Sequence, residues 1–295
     1  KMRGEREMYQ MILDIAKETE QVLAVYMNGS RTNENVPGDI FQDYDIVFVV
    51  KETQPFIEDK NWIHRFGNIL YMQYPDESHF EFPGESVDKE SHYGWLMQFD
   101  DGVRVDLMVQ SAGYAKEHIH DDKLCRILLD KEGIMPDIPK STDMDYHVKK
   151  PTEAEFAACC NEFWWCSNNL AKGLWREEMP YVQDMTNFVV RKELERMLSW
   201  IAGIRTGFTV SVGKSAKYLY RWLNREEYQS YLDTYFGGSV QDAWRGIRVM
   251  CDLFDKAAGE TAEKLGFSYN RKEAEAAREF LFHARELPRD AKEVY

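Results

Sequence analysis

Gln42-Asp43-Tyr44-Asp45-Ile46-Val47-Phe48-Val49-Val50 sets two carboxylates at i and i+2 at the head of a nearly continuous apolar run. That run predicts a central strand of a small sheet. Its period of two sends Asp43 and Asp45 to one face while Tyr44, Ile46 and Phe48 turn to the core. The two acids then stand roughly 6 to 7 Å apart along the backbone. Ionised, they repel, so the spacing makes sense if a cation neutralises them. Mg²⁺ is the natural choice, a hard ion held by carboxylates together with substrate phosphates. Alone, an Asp-x-Asp pair more often marks a strand end or the solvated face of a half-covered sheet.

Two neighbouring stretches change that weighting. Val103-Arg104-Val105-Asp106-Leu107-Met108-Val109 repeats the alternation, with the apolar residues buried and Arg104 and Asp106 on the opposite face. Asp101-Gly102 reads as the turn of a hairpin joining residues 95–99 to 103–109. If this strand lies beside the first, Asp43, Asp45 and Asp106 meet at one sheet edge. Such a cluster can hold two ions about 3.5 to 4 Å apart. Upstream, residues 21–27 read as a strand stopped by Asn28-Gly29-Ser30. Gly29 permits a tight turn, and the Ser30 hydroxyl with adjacent N–H groups can receive phosphate oxygens. Arg31 adds charge there or closes the loop through a salt bridge.

The 295 residues, 44% hydrophobic, are enough for two domains with real cores. Met8, Met11, Ile12, Ile15 and Thr19 recur at helical spacing and predict an opening amphipathic helix. Beyond it the reading is α+β. Residues 1–135 form a domain with a small mixed sheet and helices. Residues 136–152, punctuated by Pro136, Pro139 and Pro151, connect it to an all-α helical bundle over 153–295. Helices are predicted over 156–175, 182–206, 211–223, 226–235, 240–265 and 271–287.

Lys plus Arg number 37 against 51 Asp plus Glu, a formal charge of -14. That balance disfavours nucleic acid as a partner, because phosphate-backbone binding depends on basic residues displacing counterions. An acidic cleft would instead concentrate a cationic ligand. The five cysteines lack CxxC spacing and read as buried reduced thiols. Residues 1–20 are charged throughout, so no secretory leader is expected; nor is a membrane span or membrane partner. A soluble, cytoplasmic monomer is the expectation.

Neither a GxxxxGK[ST] loop nor a dinucleotide-binding GxGxxG occurs in a strand-to-helix setting. Val212-Gly213-Lys214-Ser215 has the wrong approach for a P-loop, yet Lys214 can reach phosphate as a point charge. Glu81, Glu85, Glu162 and Asp184 are candidates for a general base or for acceptor binding. Glu162 lies beside Phe163, Trp164 and Trp165, a combination suited to an acidic and aromatic pocket wall, or equally to the exposed side of a core helix. The seven histidines form no coherent ligand set.

Gly29-Ser30, then Asp43-Tyr44-Asp45, then Asp106 on a later strand, resembles the pattern of the nucleotidyltransferase superfamily. Longer stretches narrow the likeness: Asn28-Gly29-Ser30-Arg31-Thr32-Asn33, Asp143-Met144-Asp145-Tyr146-His147-Val148, Cys159-Cys160-Asn161-Glu162-Phe163-Trp164 and Gly207-Phe208-Thr209-Val210-Ser211-Val212-Gly213-Lys214. Across nearly the whole chain the sequence resembles the aminoglycoside 6-adenylyltransferase family. The resemblance implies a nucleotidyltransferase fold at the N-terminus, with Asp43 and Asp45 binding Mg²⁺ and Asp106 completing the metal and acceptor-activation cluster. It implies that Ser30 and Lys214 contact the phosphates of ATP. The implied reaction is attack of the streptomycin 6-hydroxyl on the α-phosphorus of ATP, with streptomycin a cationic aminoglycoside acceptor. Two other readings compete: nucleotidyl transfer to another small, RNA or protein acceptor, and a non-catalytic small-molecule binding protein on the same scaffold.

Overall fold

The computed structural model describes residues 1–77 and 88–295. The chain forms two compact units, Lys1–Asp145 and Tyr146–Tyr295.

The first unit runs α1 (Glu5–Glu18), β1 (Val22–Asn28), β2 (Tyr44–Val50), α2 (Gln54–Glu58), β3 (Ile69–Gln73), β4 (His92–Phe99), β5 (Arg104–Ser111), α3 (Ala112–His118) and β6 (Cys125–Asp130). Its sheet is mixed, in the order β3-β4-β5-β2-β1-β6. β2 and β5 pair in parallel; the other neighbours are antiparallel. Residues 44, 46 and 48 of β2 and 105, 107 and 109 of β5 pack with Met8, Ile12 and Ile15 of α1. Val47 and Val49 pack on the other face with Ala115 and Ile119, in and just after α3. β2 is therefore covered on both sides, which is why its sequence is apolar almost without interruption. The edge strand β3 leaves Leu70 and Tyr71 exposed, and this blurs the alternation that would have betrayed it in the sequence.

Strand direction places the site. β2 and β5 run in parallel, so both begin at one edge of the sheet, and β1, antiparallel to β2, ends there. The turn after β1 and the acids opening β2 and β5 thus converge.

The second unit is all α: α4 (Glu153–Trp175), α5 (Met179–Met185), α6 (Arg191–Thr206), α7 (Arg225–Asp233), α8 (Val240–Leu265) and α9 (Arg271–Glu286). α4 starts at a reciprocal cap, with Thr152 Oγ1 accepting from the Glu155 N–H at 3.2 Å and the Glu155 carboxylate from the Thr152 N–H at 2.8 Å. Its buried face carries Phe156, Phe163 and Trp164, and Phe163 stacks on Phe254 of α8 at 3.7 Å between ring centroids. One π turn, Thr186–Val190, joins α5 to α6.

The helix predicted over 211–223 does not form. Two short 3₁₀ turns, Lys214–Ala216 and Leu219–Arg221, stand in its place. Gly213, Ser215 and Ala216 have φ of 73°, 54° and 57°, and left-handed backbone cannot propagate a right-handed helix. The five cysteines are free and buried. Among the described residues, no helix is long and apolar enough to cross a membrane.

Candidate active site

β1 brings Asn28 opposite Asp45, and β5 brings Asp106 opposite Asp45 from the other side. Gly29 follows at once, with φ of 78°, and a Cβ built on it would stand 2.1 Å from Asp45 Oδ2. Only glycine leaves that carboxylate its space. Ser30 opens a 3₁₀ turn, Ser30–Thr32, whose closure is secured by the Thr32 N–H and hydroxyl, both donating to the Gly29 carbonyl at 3.0 and 2.8 Å. Among the described residues the Ser30 and Arg31 N–H groups donate to no protein acceptor. Two backbone donors and the Ser30 hydroxyl, with Gln42 Nε2 at 3.5 Å from its Oγ, therefore stand beside the acids.

Arg31 closes the loop. Its Nε donates to the Asp43 carbonyl at 2.9 Å and its Nη2 to the Gln42 carbonyl at 2.8 Å. The guanidinium lies 3.7 Å over the Tyr44 ring, with Nη1 at 3.6 Å from Glu5, and the side chain is only 10% exposed. These contacts tie the entry to β2 against the turn that leaves β1.

The carboxylates are crowded. Burial, then the charges of Asp106 and Asp43, push the Asp45 carboxyl up to about 6. Burial likewise raises Asp43, with Arg104 opposing. Arg104 grips Asp106 in a two-point fork, Nε to Oδ1 and Nη2 to Oδ2, both 2.7 Å, and its Nε lies 3.5 Å from Asp43 Oδ2. That fork raises the guanidinium pKa further. The sequence put Arg104 on this face without giving it a role; the signal was its i, i+2 spacing to Asp106.

Among the described residues, no three or more His, Cys, Asp or Glu side chains stand in a metal-ligating arrangement. Arg104 donates one hydrogen bond to each oxygen of Asp106. The donor set nonetheless suits a hard divalent ion: it is all carboxylate oxygen, and it crowds like charges that a cation relieves.

The other predicted residues belong to the second unit or fall outside the described ones. Glu81 and Glu85 lie outside the described residues. Glu162 and Trp165 are exposed on α4. Glu162 accepts a weak bond from the Cys166 thiol at 3.4 Å. Trp165, 65% exposed, lines a groove of about 360 Å³ with Phe280 and other α9 residues, and Glu162 is not part of that lining. Asp184 is exposed on α5, and Lys214 is exposed in the left-handed turn. Among the described residues no hydrogen bond or ion pair joins Glu162, Asp184 and Lys214.

Residues 2–284 match the streptomycin adenylyltransferase family. The chain is 38% identical over 268 residues to an aminoglycoside 6-adenylyltransferase of Campylobacter jejuni, covering 91% of each. It is 35% identical over 269 residues to an aminoglycoside 6-adenylyltransferase of Bacillus subtilis strain 168, covering 91% of this chain and 93% of that one. A crystal structure of an aminoglycoside 6-adenyltransferase from Bacillus subtilis aligns at 29% identity and a TM-score of 0.48, covering 97% of this chain and 100% of that chain.

Proposed function

The chain belongs to the streptomycin adenylyltransferase family, and from that premise we propose that it transfers AMP from ATP to the 6-hydroxyl of streptomycin and releases pyrophosphate. The observation that carries this reading is the convergence of the Gly29-Ser30 turn with Asp43, Asp45 and Asp106 at one sheet edge.

Asp43, Asp45 and Asp106 are the residues that would hold Mg²⁺, which when bound polarises a phosphoryl oxygen and favours the alkoxide of an attacking hydroxyl. Ser30, through its hydroxyl and the N–H groups at the turn, receives the terminal phosphate oxygens. Arg31 keeps the strand entry and the turn in register, so carboxylates and donors address one substrate. The proton of the acceptor hydroxyl passes to a carboxylate of the cluster. From the family resemblance we also propose that Lys214 contacts phosphate as a point charge. The formal charge of -14 suits a polycationic acceptor and opposes an RNA acceptor.

Mass spectrometry of products formed from ATP, Mg²⁺ and a panel of aminoglycosides tests the reading, with fragmentation to locate the modified hydroxyl. Streptomycin gaining one adenylyl group at the 6-position is the expected product. Streptomycin bound but unmodified under these conditions would sink the enzymatic reading in favour of a binding protein, and an adduct only on other acceptors would overturn the substrate assignment.

A further inference from the structure

We propose that Arg104 is the resident counter-cation of the acid cluster, surrendering Asp106 when the divalent metal arrives and then engaging the phosphates of the nucleotide. This inference rests on the reading of Asp43, Asp45 and Asp106 as metal ligands.

Arg104 opens β5 two residues before Asp106, so both side chains leave the same face of the strand. Its fork takes both carboxylate oxygens of Asp106 at 2.7 Å and its Nε stands 3.5 Å from Asp43. The fork occupies one lone-pair direction on each Asp106 oxygen, so a metal that takes Asp106 from that side must displace the guanidinium. The contacts that hold Arg104 among the described residues are those to Asp106 and Asp43.

The two arginines of the site differ in freedom. Arg31 is 10% exposed and spends its donors on backbone carbonyls, whereas the Arg104 side chain is 43% exposed at the rim. Arg104 can swing without disturbing the core. A divalent ion delivers to the carboxylates the charge that Arg104 now supplies. The guanidinium, displaced at the mouth of a phosphate site, meets the same planar pattern of oxygens in a phosphoryl group, which it can take bidentately.

The test titrates Mn²⁺ into the full chain without nucleotide, reading free Mn²⁺ by electron paramagnetic resonance, for the native protein, Arg104→Lys and Arg104→Gln. Lysine keeps the charge and loses the fork. Both variants are expected to bind Mn²⁺ about tenfold more tightly than the native chain, and Arg104→Gln to bind a non-hydrolysable ATP analogue with Mg²⁺ about tenfold more weakly. Two unchanged variants would overturn the proposal, as would an Arg104→Gln chain that binds the ATP analogue as tightly as the native one. Asp45→Asn separates this from failure of the underlying reading: if it leaves native Mn²⁺ binding intact, the carboxylate site itself is wrong and the Arg104 inference falls with it. Far-ultraviolet circular dichroism checks each fold.

Discussion

Gly29 backs directly onto Asp45: a Cβ at position 29 would stand 2.1 Å from the carboxylate oxygen Oδ2. The turn that leaves β1 and the acid on β2 therefore share one volume. Gly29→Ala must displace Asp45 and also hold a side chain at φ of 78°. We expect a stability loss of about 1–3 kcal/mol by chemical denaturation and a fall in turnover of at least about a hundredfold. Native turnover in this variant would refute the close packing of turn and acid.

Asp45 carries an ionisation cost. Its folded carboxyl sits at about 6, above the ordinary value of 3.8, so the folded state holds a proton that the unfolded chain gives up. The stabilisation this brings is complete below the unfolded value and is lost as pH rises through the folded one. Asp45→Asn is therefore expected to be more stable than the metal-free native chain at pH 8 by about 1–3 kcal/mol, with the gap closing by pH 4. Turnover in the same variant collapses. Denaturation curves at the two pH values check the first half, and an Asp45→Asn chain less stable than native at pH 8 would contradict it. For the native protein, half-saturation by Mg²⁺ rises as pH falls below about 6, because proton and metal compete for Asp45.

Arg31 bonds the carbonyls of Gln42 and Asp43 and stacks on Tyr44. Arg31→Ala removes both bonds and the stacked cation, at an expected cost of about 2–3 kcal/mol. Arg31→Lys keeps a cation over the ring and loses the fork. A positioning role predicts that kcat falls more than KM for ATP changes in Arg31→Lys; a direct phosphate contact predicts the reverse, and steady-state kinetics with ATP varied distinguishes them.

Ser215 holds a left-handed backbone at φ 54° next to Lys214. Ser215→Gly relieves that conformation and is expected to stabilise the chain by about 0.5–1 kcal/mol. If Lys214 contacts ATP phosphate as proposed, KM for ATP should rise in the same variant. A destabilised Ser215→Gly would show that the side chain supports the turn instead of straining it.

The near-continuous apolar run of β2, the alternation of 103–109 and the helical periodicity of the second half were legible in the sequence, because burial on two faces or on one imposes a pattern that any local window displays. So was which charged side chains share a face, since Asp43 with Asp45, and Arg104 with Asp106, are separated by one strand period. The sequence misjudged residues 211–223, where apolar spacing looks helical but Ser215 and Ala216 adopt left-handed backbone that no side-chain pattern announces. The parallel pairing of β2 with β5 belonged to the tertiary structure, and only that pairing sets Asp45 beside Asp106 across sixty residues of chain. The roles of the arginines were decided there too. Arg31 turned its donors onto backbone carbonyls and Arg104 onto the acids, because a long flexible side chain takes the partner that three-dimensional packing places within reach, and sequence neighbours do not specify that partner.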